Sequence, residues 1–368
     1  MQVLCTRENL LYGVQVVQRA VSSKTTMPVL SGILLRTANN RLLLTATDLE
    51  LGINVSVPVQ VMEEGSTVIQ SKFFSELVRR LPDTPIEISM EPGTKSVTIN
   101  YSPSKTSINS MDPEEFPVVP ELENSSCISL NSSTFKSMVK QTTFATAPDE
   151  NRPIFTGVLL LVDQREIKMV ATDTHRLAFR TGVVESPLDE PWQAIIPGKT
   201  LNEVSKLIKE EDEIITIVPT NNQVMFKFGE ISLISRLIDG QFPNHTQVIP
   251  KSCKTKVRVG TKALLDSVER ASLLAREGSN VIKLVIQDNT LVITSNSPDL
   301  GKAHEELSIE IDGEETQIAF NSRYLIDALK AIDSEEIMLE LSGSLSPGVI
   351  RPMETNNYLY LILPVRTN

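Results

Sequence analysis

The chain has 368 residues, of which 40% are hydrophobic, and this length suffices for two or three domains. No segment approaches the roughly 18 consecutive apolar residues of a membrane span, and the N-terminal MQVLCTRENLL lacks the apolar core of a signal peptide, so we expect a cytoplasmic protein. The formal net charge of −11, taken over the whole chain, argues against a nucleic-acid partner.

Cysteine usage and motif content argue against several kinds of chemistry. The three cysteines, Cys5, Cys127 and Cys253, are odd in number and far apart, which indicates unpaired thiols in a reducing compartment. The sequence shows no metal-ligand spacing, no P-loop and no glycine-rich dinucleotide turn. We therefore predict that the protein uses neither a metal nor a cofactor.

A pattern of two apolar runs around a polar turn occurs three times. The first copy, MPVLSGILLRTANNRLLLTATDLELGI, begins at Met27, and the second, RPIFTGVLLLVDQREIKMVATDTHRLAF, lies in the middle of the chain. A weaker third copy, VIKLVIQDNTLVITSNSPDLGKA, begins at Val281. Each copy predicts a β-hairpin that ends in a polar cluster. Because the equivalent residues Thr47, Thr172 and Ser295 lie 125 and 123 positions apart, we predict three similar domains.

In chain order, every repeat predicts a helix, the hairpin, a second helix and a closing set of strands. Apolar residues recur at helical spacing before and after each hairpin. The predicted helices are residues 6–20 and 72–81 in the first repeat, 132–144 and 199–209 in the second, and 262–276 and 322–332 in the third. The closing portions include the predicted strands Ile86–Met90, Ile214–Val218 and Ile337–Leu341.

Proline-rich segments mark the ends of the first two repeats. The first closes with DPEEFPVVP and the second with DGQFPNHTQVIP, and proline cannot continue a strand ladder. We therefore predict domains at residues 1–122, 123–252 and 253–368. Each is predicted to be an α+β unit with two helices packed on antiparallel sheets, and the three are expected to lie side by side.

Charge is divided unequally between the predicted helices and the rest of the chain. The six helices contain 15 Lys or Arg and six Asp or Glu, which gives them a net charge of +9 and leaves −20 elsewhere. One interpretation is that these are ordinary solvated helix faces. The other is a protein with one basic surface, which attracts phosphates without reading bases, and an acidic remainder. An aromatic content of 5% and the lack of a helix-turn-helix or zinc-finger pattern argue against base-specific recognition.

Two stretches carry candidate functional residues. Asp173 and His175 could form part of a hydrolytic triad, but no serine lies in a Gly-x-Ser-x-Gly turn, so a capping role in the loop is favoured. The repeats diverge at this loop, which favours a surface role for residues 175–177. The run YLYLILPVR from Tyr358 predicts a final strand, and its last residues are candidates for the floor of an apolar groove.

Several motifs, in the same order along the whole chain, resemble the bacterial DNA polymerase III beta subunit family, the sliding clamps. They are MPVLSGILL at Met27, LTATDLEL at Leu44, VATDTHRLA at Val170, LIDGQFPNHTQVIP from Leu237, FNSRYLIDAL from Phe320 and the terminal LPVR. The resemblance implies a head-to-tail homodimer whose two chains close a ring of six clamp-type domains, with helices lining a hole around duplex DNA. It also implies a non-enzymatic processivity factor that tethers polymerases and the clamp loader.

In that family, polymerases and the clamp loader dock short linear peptides in one groove. By the resemblance, the groove maps onto Phe155, Thr172, Thr174, His175, Arg176, Leu177, Pro243, Val248, Asn321, Tyr324, Leu345, Leu361, Ile362, Leu363, Pro364, Val365 and Arg366. Two departures are visible in this sequence. Thr174 stands where a glycine is usual, and the residues from Leu363 to Val365 stand where methionines are common.

The resemblance also implies DNA contacts and a subunit contact. The residues predicted to face DNA are Lys24, Arg79, Arg80, Lys136, Lys140, Arg152, Lys199 and Lys206. The subunit contact is predicted to bring Leu273 and Leu274 against Thr106 and Ile108. Asp149 or Glu150 stands where a DNA-contacting glutamine is usual, and Thr106 replaces an expected aromatic residue.

Three hypotheses for the function follow. The first, which the full-length resemblance favours, is a processivity ring on duplex DNA. The second is a monomeric peptide-binding adaptor of three like domains without DNA contact. The third is a hydrolase that uses His175, which would lose its activity on substitution of that residue. The mass in solution separates the first two, because a ring needs two chains.

Overall fold

The structure, a computed structural model, describes residues 1–22, 25–90, 93–120, 127–149, 151–186, 188, 190–209, 213–275 and 280–366. The helices in these ranges are α1 (Arg7–Val17), α2 (Ser71–Arg80), α3 (Ser132–Thr142), α4 (Pro153–Thr156), α5 (Gly198–Leu207), α6 (Thr261–Ala275) and α7 (Ser322–Ala331). None of the described helices is long and apolar enough to cross a membrane.

The strands fall into three runs that follow the three repeats. The first run is β1 (Gln2–Cys5), β2 (Gly32–Ala38), β3 (Arg41–Thr47), β4 (Leu51–Pro58), β5 (Gln60–Glu63), β6 (Ser66–Gln70), β7 (Ile86–Met90), β8 (Ser96–Tyr101) and β9 (Ser104–Met111). The second is β10 (Ile128–Asn131), β11 (Gly157–Asp163), β12 (Glu166–Thr172), β13 (Arg176–Val183), β14 (Trp192–Pro197), β15 (Ile214–Pro219), β16 (Gln223–Phe228) and β17 (Ile231–Arg236). The third is β18 (Thr255–Gly260), β19 (Val281–Gln287), β20 (Thr290–Ser297), β21 (Gly301–Ser308), β22 (Glu310–Gly313), β23 (Thr316–Asn321), β24 (Glu336–Leu341), β25 (Gly348–Pro352) and β26 (Tyr358–Ile362).

The six predicted helices are confirmed, with ends that differ by a few residues. The one-turn helix α4 is an addition that the sequence does not predict. Two predicted helices end in a 3-10 turn instead of α-helix, at Gln18–Ala20 and Thr143–Ala145, and α5 ends before Lys209. Within the described residues the six helices carry 12 basic and six acidic residues, and Arg276, the last residue of the predicted helix 262–276, lies outside the described residues. Their net charge is therefore +6 instead of +9, and its sign is still opposite to that of the rest of the chain.

The three predicted hairpins are confirmed as the antiparallel pairs β2–β3, β11–β12 and β19–β20. The turn residues Asn39 and Asn40 have φ angles of 51° and 56°, and Asp288 and Asn289 have 48° and 56°. Two consecutive positive φ angles match the twist of a hairpin, and Asn and Asp adopt them at low cost. The third copy differs after its hairpin, because β20 continues to Ser297 and pairs with β21 instead of entering a polar loop.

The chain divides into two compact units, which are described separately. Unit 1 comprises Met1–Ser132 and Glu203–Leu237, and unit 2 comprises Ser133–Asn202 and Ile238–Asn368. Within unit 1, β17 of the second repeat pairs with β4 of the first, and within unit 2, β13 of the second pairs with β26 of the third. Sheets therefore continue from one repeat into the next, and the division at 1–122, 123–252 and 253–368 stays a prediction.

Unit 1 is built on one sheet of 13 strands, in the order β10-β15-β16-β17-β4-β3-β2-β6-β9-β8-β7-β1-β5. Helices α1 and α2 pack against each other, α1 also on β3 and β4, and α2 on β2 and β6. The buried side of this helix pair is formed by Leu10, Val14, Phe74 and Val78. Amphipathic helices thus cover one part of the sheet and leave their charged faces exposed.

Unit 2 contains a sheet of nine strands, β14-β11-β12-β13-β26-β25-β24-β18-β22, and a sheet of four, β21-β20-β19-β23. Helices α6 and α7 pack together, α6 mainly on β20 and β21, and α7 on β23 and β26. A core cluster on the larger sheet includes Leu159, Val170, Leu177, Leu359 and Leu361. The loop between β12 and β13 leaves this core at Thr172 and returns to it at Leu177, and it carries the residues of the candidate site.

Candidate functional site: an apolar groove and a set of basic helices

The loop between β12 and β13 is held by its own side chains. Asp173 Oδ1 accepts hydrogen bonds from the backbone N–H groups of His175 (2.9 Å) and Arg176 (3.0 Å). Thr172 Oγ1 accepts from the N–H of Thr174 (3.2 Å) and donates to the carbonyl of Arg176 (2.6 Å). These bonds provide hydrogen-bond partners for the backbone groups of a tight loop. They therefore explain the Thr-Asp pair without a catalytic role.

The first repeat has the same loop. Asp48 Oδ1 accepts from the N–H groups of Glu50 (3.0 Å) and Leu51 (2.7 Å). Thr47 Oγ1 accepts from the N–H of Leu49 (3.0 Å) and donates to the carbonyl of Leu51 (2.9 Å). A structural role for the Thr-Asp pair is therefore common to both copies, which removes the main argument for a hydrolytic triad in the second.

The third residue of each loop has a left-handed backbone. Thr174 has a φ angle of 80°, and Leu49 at the equivalent position has 77°. A left-handed conformation costs a residue with a Cβ atom about 1–2 kcal/mol, and a β-branched side chain is especially unsuited to it. This geometry explains why a glycine at the position of Thr174 would be favourable.

We expect Thr174→Gly to raise the free energy of unfolding by about 0.5–1 kcal/mol, because relief of backbone strain exceeds the entropy cost of glycine. Urea unfolding followed by circular dichroism measures the change. Leu49→Gly is the matched variant in the first repeat and should give a gain of the same sign. A loss of stability in both variants would contradict this account of the loop.

Arg176 follows the loop and is buried, with 8% of its surface exposed. Its Nε donates to Asp173 Oδ2 (3.0 Å), Nη1 to Asp327 Oδ2 (2.6 Å) and Nη2 to the carbonyl of Phe144 (2.7 Å). The guanidinium also lies over the ring of Tyr324, 4.4 Å from its centroid. Arg176 therefore ties the loop to α7 and to the 3-10 turn after α3 and is buried among these partners, and the surface role predicted for residues 175–177 stays a prediction.

An apolar cleft of about 180 Å³ lies beside this loop, and we call it the unit 2 groove. Its lining residues are Phe155, Thr172, Thr174, His175, Arg176, Leu177, Phe242, Pro243, Asn244, His245, Val248, Leu361 and Leu363. Leu177 and Leu361 face each other across β13 and β26 and form a buried floor, each 3% exposed. Leu363 is 37% exposed and extends the apolar surface towards solvent.

The walls of the unit 2 groove are fixed and largely uncharged. The N–H of Leu363 donates to the carbonyl of His175 (2.9 Å), which joins the end of β26 to the loop. His245 stacks on Phe179 with 5.8 Å between ring centroids. Burial, and secondarily the charge of Lys168, lower the pKa of the His245 imidazole. This side chain is therefore neutral at pH 7, and the groove presents an apolar, preformed surface.

Ten of the 17 residues predicted for the groove line it, and seven do not. Asn321 caps α7 by accepting from the N–H of Arg323 (3.0 Å). Tyr324 stacks on His175 with 6.4 Å between ring centroids, and Ile362 is fully buried. The other residues outside the lining are Leu345, which is 68% exposed, and Pro364, Val365 and Arg366, which follow β26. A binding role for all 17 stays a prediction.

Sequence reasoning missed three lining residues, Phe242, Asn244 and His245. All three belong to the segment LIDGQFPNHTQVIP, from which only Pro243 and Val248 were predicted. The sequence carries a partial signal, since Asn244 follows a proline, and in the structure it caps a 3-10 turn by accepting from the N–H of Thr246 (3.2 Å). An asparagine between two prolines predicts a turn, but it does not predict that the turn faces a groove.

The residues predicted to face DNA are in part neutralised by neighbouring acids. Arg79 and Arg80 both bond to Glu76, at 3.2 and 3.1 Å. In the second repeat, Lys206 Nζ bonds to Glu203 (2.9 Å), and Lys140 Nζ bonds to Asp333 (2.5 Å). Arg152 and Lys199 are exposed, Lys136 is half-buried, and Lys24 lies outside the described residues. The helices are thus basic in sum, with acids that hold several of the cations in place.

The loop before Arg152 carries a fixed negative charge. The carboxylate of Asp149 accepts from the backbone N–H (2.9 Å) and the side-chain Nδ2 (2.8 Å) of Asn151. These hydrogen bonds lower the pKa of Asp149. Glu150 lies outside the described residues. The departure from a glutamine at this point therefore places an ionised carboxylate beside a predicted DNA contact.

The residues predicted for the subunit contact lie at the surfaces of their own units. In unit 1, Thr106 and Ile108 are half-buried on β9, and the Thr106 hydroxyl is 2.9 Å from the Tyr101 hydroxyl. In unit 2, Leu273 on α6 is 59% exposed, and its neighbour Leu274 is half-buried. An exposed leucine on a helix is available for an interface, and its role in one stays a prediction.

Comparison with known proteins gives full-length matches. Models of the N-terminal, central and C-terminal domains of the DNA polymerase III beta subunit match residues 1–120, 129–244 and 246–366. The beta sliding clamp of Bacillus subtilis (strain 168) is 38% identical over 378 residues, which cover 100% of both chains.

Solved structures agree with the sequence matches. The crystal structure of the DNA polymerase sliding clamp from Bacillus subtilis has a TM-score of 0.97 and 37% identity, with 100% of both chains covered. A sliding clamp from Pseudomonas aeruginosa bound to griselimycin has a TM-score of 0.95 and 30% identity, also with 100% of both chains covered. The chain belongs to the DNA polymerase III beta subunit family, the beta sliding clamps.

Proposed function

We propose that this protein is a non-enzymatic processivity factor that acts as a closed homodimeric ring on duplex DNA. The observation that carries the proposal is the likeness to sliding clamps over 100% of the chain, at 37% identity and a TM-score of 0.97. Two chains of three like domains complete such a ring. It holds DNA by closure, and it needs no catalytic residue.

The charge of the helices supports a sliding contact with DNA. Basic side chains on helix surfaces attract the phosphate backbone equally at every register, and they do not read bases. Exposed pairs such as Arg80 with Glu76 are weak, so these cations remain accessible to phosphates. A weak and uniform attraction permits movement along the duplex, whereas many tight contacts would arrest it.

The test of the ring is retention on closed circular duplex. After loading, the protein should stay on a nicked circle and should leave the same DNA within minutes once it is made linear, because a ring slides off free ends. Gel filtration of protein–DNA complexes measures the retained fraction. Equal loss from both forms would contradict the ring. A stable monomer in light scattering would favour the alternative, a peptide-binding adaptor without DNA contact.

The unit 2 groove supports the second part of the proposal, a docking site for short linear peptides of polymerases and clamp-loader subunits. Its buried apolar floor and preformed walls suit aliphatic or aromatic anchor residues. The volume of about 180 Å³ accommodates one or two side chains rather than a folded partner. All 17 residues predicted for the groove belong to the proposed site, and the ten that line the cleft should dominate peptide affinity.

Acidic residues on the helices should limit the affinity for DNA, and Glu203 is the clearest case. Its carboxylate accepts from Arg19 Nη1 (2.8 Å) and Lys206 Nζ (2.9 Å), and its side chain is 14% exposed. Burial alone would raise the pKa of Glu203, but the hydrogen bonds from Lys206 and Arg19 lower it. The group is therefore ionised at neutral pH, where it offsets one of the two positive charges.

We expect Glu203→Gln to increase non-specific affinity for duplex DNA about fivefold at low salt, since one uncompensated charge near a phosphate is worth about 1 kcal/mol. The dependence on salt should become steeper by up to about 0.9 in log–log slope. Fluorescence anisotropy with a labelled duplex measures both. Glu340→Gln is the control, because Glu340 pairs with Arg351 within a sheet (3.3 Å). An equal gain in both variants would show a general charge effect instead.

A further inference from the structure

Unit 1 also contains a cleft, of about 150 Å³, and it lies at the same place in the repeat as the unit 2 groove. We call it the unit 1 groove. It is bounded by the loop from Thr47 to Gly52, the proline-rich segment 117–120, and the end of β17. The unit 2 groove is bounded by the equivalent loop, the equivalent proline-containing segment and the end of β26. The two clefts are therefore formed by equivalent loops, segments and strand ends of the repeats.

The strand register shows how closely the two clefts correspond. Gly52 is paired with Ile234 across β4 and β17, as Leu177 is paired with Leu361 across β13 and β26. The N–H of Arg236 donates to the carbonyl of Glu50 (2.9 Å), and this bond repeats the one from Leu363 to His175 (2.9 Å). Arg236 therefore takes the place of Leu363, and Glu50 takes the place of His175.

The side chains of the unit 1 groove differ from those of its counterpart. Two charged groups stand at its edge, with Arg236 Nη1 and Glu50 Oε1 3.6 Å apart and 59% and 70% of their side chains exposed. The floor is Gly52 and Ile234, with Val119 beside them: a Cβ atom on Gly52 would lie 3.1 Å from Val119 Cγ1. Val119 thus occupies the space over Gly52, and the remaining volume of about 150 Å³ suits one aliphatic side chain.

Two aliphatic side chains at the rim of the unit 1 groove are exposed to solvent. Leu49 is 45% exposed and Val118 is 91% exposed, and both line the cleft. An exposed pair such as Arg236 with Glu50 contributes between 0 and about 1 kcal/mol, so a ligand can replace it at little cost. The site thus offers exposed apolar contacts beside one positive and one negative group.

We propose that the unit 1 groove is a second peptide-binding site, distinct from the unit 2 groove. Its occupant is a short segment of a partner protein with a leucine or similar aliphatic residue between a basic and an acidic residue. The aliphatic side chain contacts Leu49, Val118 and Ile234, the acidic side chain binds Arg236, and the basic side chain binds Glu50. The two opposite charges of this segment complement Arg236 and Glu50, which stand together at the edge of the unit 1 groove, whereas the unit 2 groove has Leu363 at the place of Arg236.

Methyl-resolved NMR of the full-length protein tests the proposal with the peptide acetyl-Lys-Leu-Asp-amide. We expect saturable shifts of the Leu49 and Val118 methyl signals at millimolar peptide. Arg236→Ala, a change at an exposed position, should weaken binding by about two- to fivefold, because it removes one exposed ion pair. The peptide acetyl-Lys-Ser-Asp-amide, which lacks the aliphatic anchor, should produce no saturable shift.

Three outcomes would overturn the proposal. The first is a shift confined to Leu177 and Leu363, since the peptide would then occupy the unit 2 groove. The second is the lack of any saturable shift. The third is binding that is unchanged in Arg236→Ala, which would show that the charge pair does not recognise the ligand. None of these results contradicts ring formation or peptide binding in the unit 2 groove, so the second site can fail while the proposed function stands.

Discussion

Leu363→Asp is expected to abolish the binding of a polymerase-derived peptide, with a loss of affinity of about 50-fold or more. Leu363 lies at the open end of the unit 2 groove and is 37% exposed. A carboxylate at this position would lose its water when a peptide covers it, at a cost of roughly 2–3 kcal/mol that no cation in the lining other than Arg176 could offset. Arg176 already binds two carboxylates.

Fluorescence anisotropy with a labelled peptide from the polymerase of the same organism measures this loss. Val183→Asp is the matched control, because Val183 is a 67% exposed aliphatic residue at the end of β13 that does not line the groove. Light scattering should show an intact dimer for both variants. Full peptide affinity in Leu363→Asp would contradict the assignment of the groove.

Position 363 is a better test than position 177. Leu177→Lys would also block the groove, but Leu177 is 3% exposed and belongs to the core cluster of the nine-stranded sheet. A lysine there would be a buried charge, and loss of binding would not distinguish a blocked groove from an unfolded unit. Removal of residues 363–366 has a related drawback, because the N–H of Val365 donates to the carbonyl of Ala319 (2.8 Å).

The second large effect concerns stability. Arg176→Ala should lower the free energy of unfolding by about 3–5 kcal/mol, because it leaves a buried carboxylate without its cation. That carboxylate belongs to Asp173, whose side chain is 8% exposed. The carbonyl of Phe144 and the ring of Tyr324 would also lose their contacts with the guanidinium. Arg176→Lys should recover only part of the lost free energy of unfolding. The ammonium group of lysine cannot reproduce the planar arrangement of donors in the guanidinium group.

Arg258→Ala is the control for this effect. Arg258 also binds two carboxylates, those of Glu310 (3.2 Å) and Glu336 (2.5 Å), but 40% of its side chain is exposed. Exposed ion pairs contribute about 1 kcal/mol or less, so this variant should be almost as stable as the parent protein. Urea unfolding measures both. Equal losses in the two variants would contradict the view that burial makes the Arg176 contacts strong.

The repeats, the helices and the hairpins could be predicted from the sequence because the information for them is local. Apolar spacing indicates which face of a helix or strand is buried. Asn39 and Asn40 mark a turn because their backbone tolerates positive φ angles. The Thr-Asp pair recurs because it closes the same loop in two repeats. Each of these signals lies within about ten residues of the structure that it determines.

The contents of the groove could not be predicted in this way. Phe242 and His245 line the groove because their segment packs on the core cluster formed by other strands. A surface role was predicted for Arg176, together with residues 175 and 177, because the repeats diverge at this loop, but no local pattern predicts that its side chain is buried. Its burial depends on Asp327, which lies 151 positions further along the chain. The pairing of Arg19 with Glu203 spans 184 positions in the same way.

The sequence by itself therefore determined the threefold repeat, the order of the elements and the excess of positive charge on the helices. Only the tertiary structure decided which of the loop residues are buried, which cations have acidic neighbours, and that unit 1 contains a groove of its own. The physical reason is that backbone geometry and amphipathic patterns depend on neighbours in the chain. Burial and ion pairing depend on which distant strands and helices come together, and those contacts leave no local pattern.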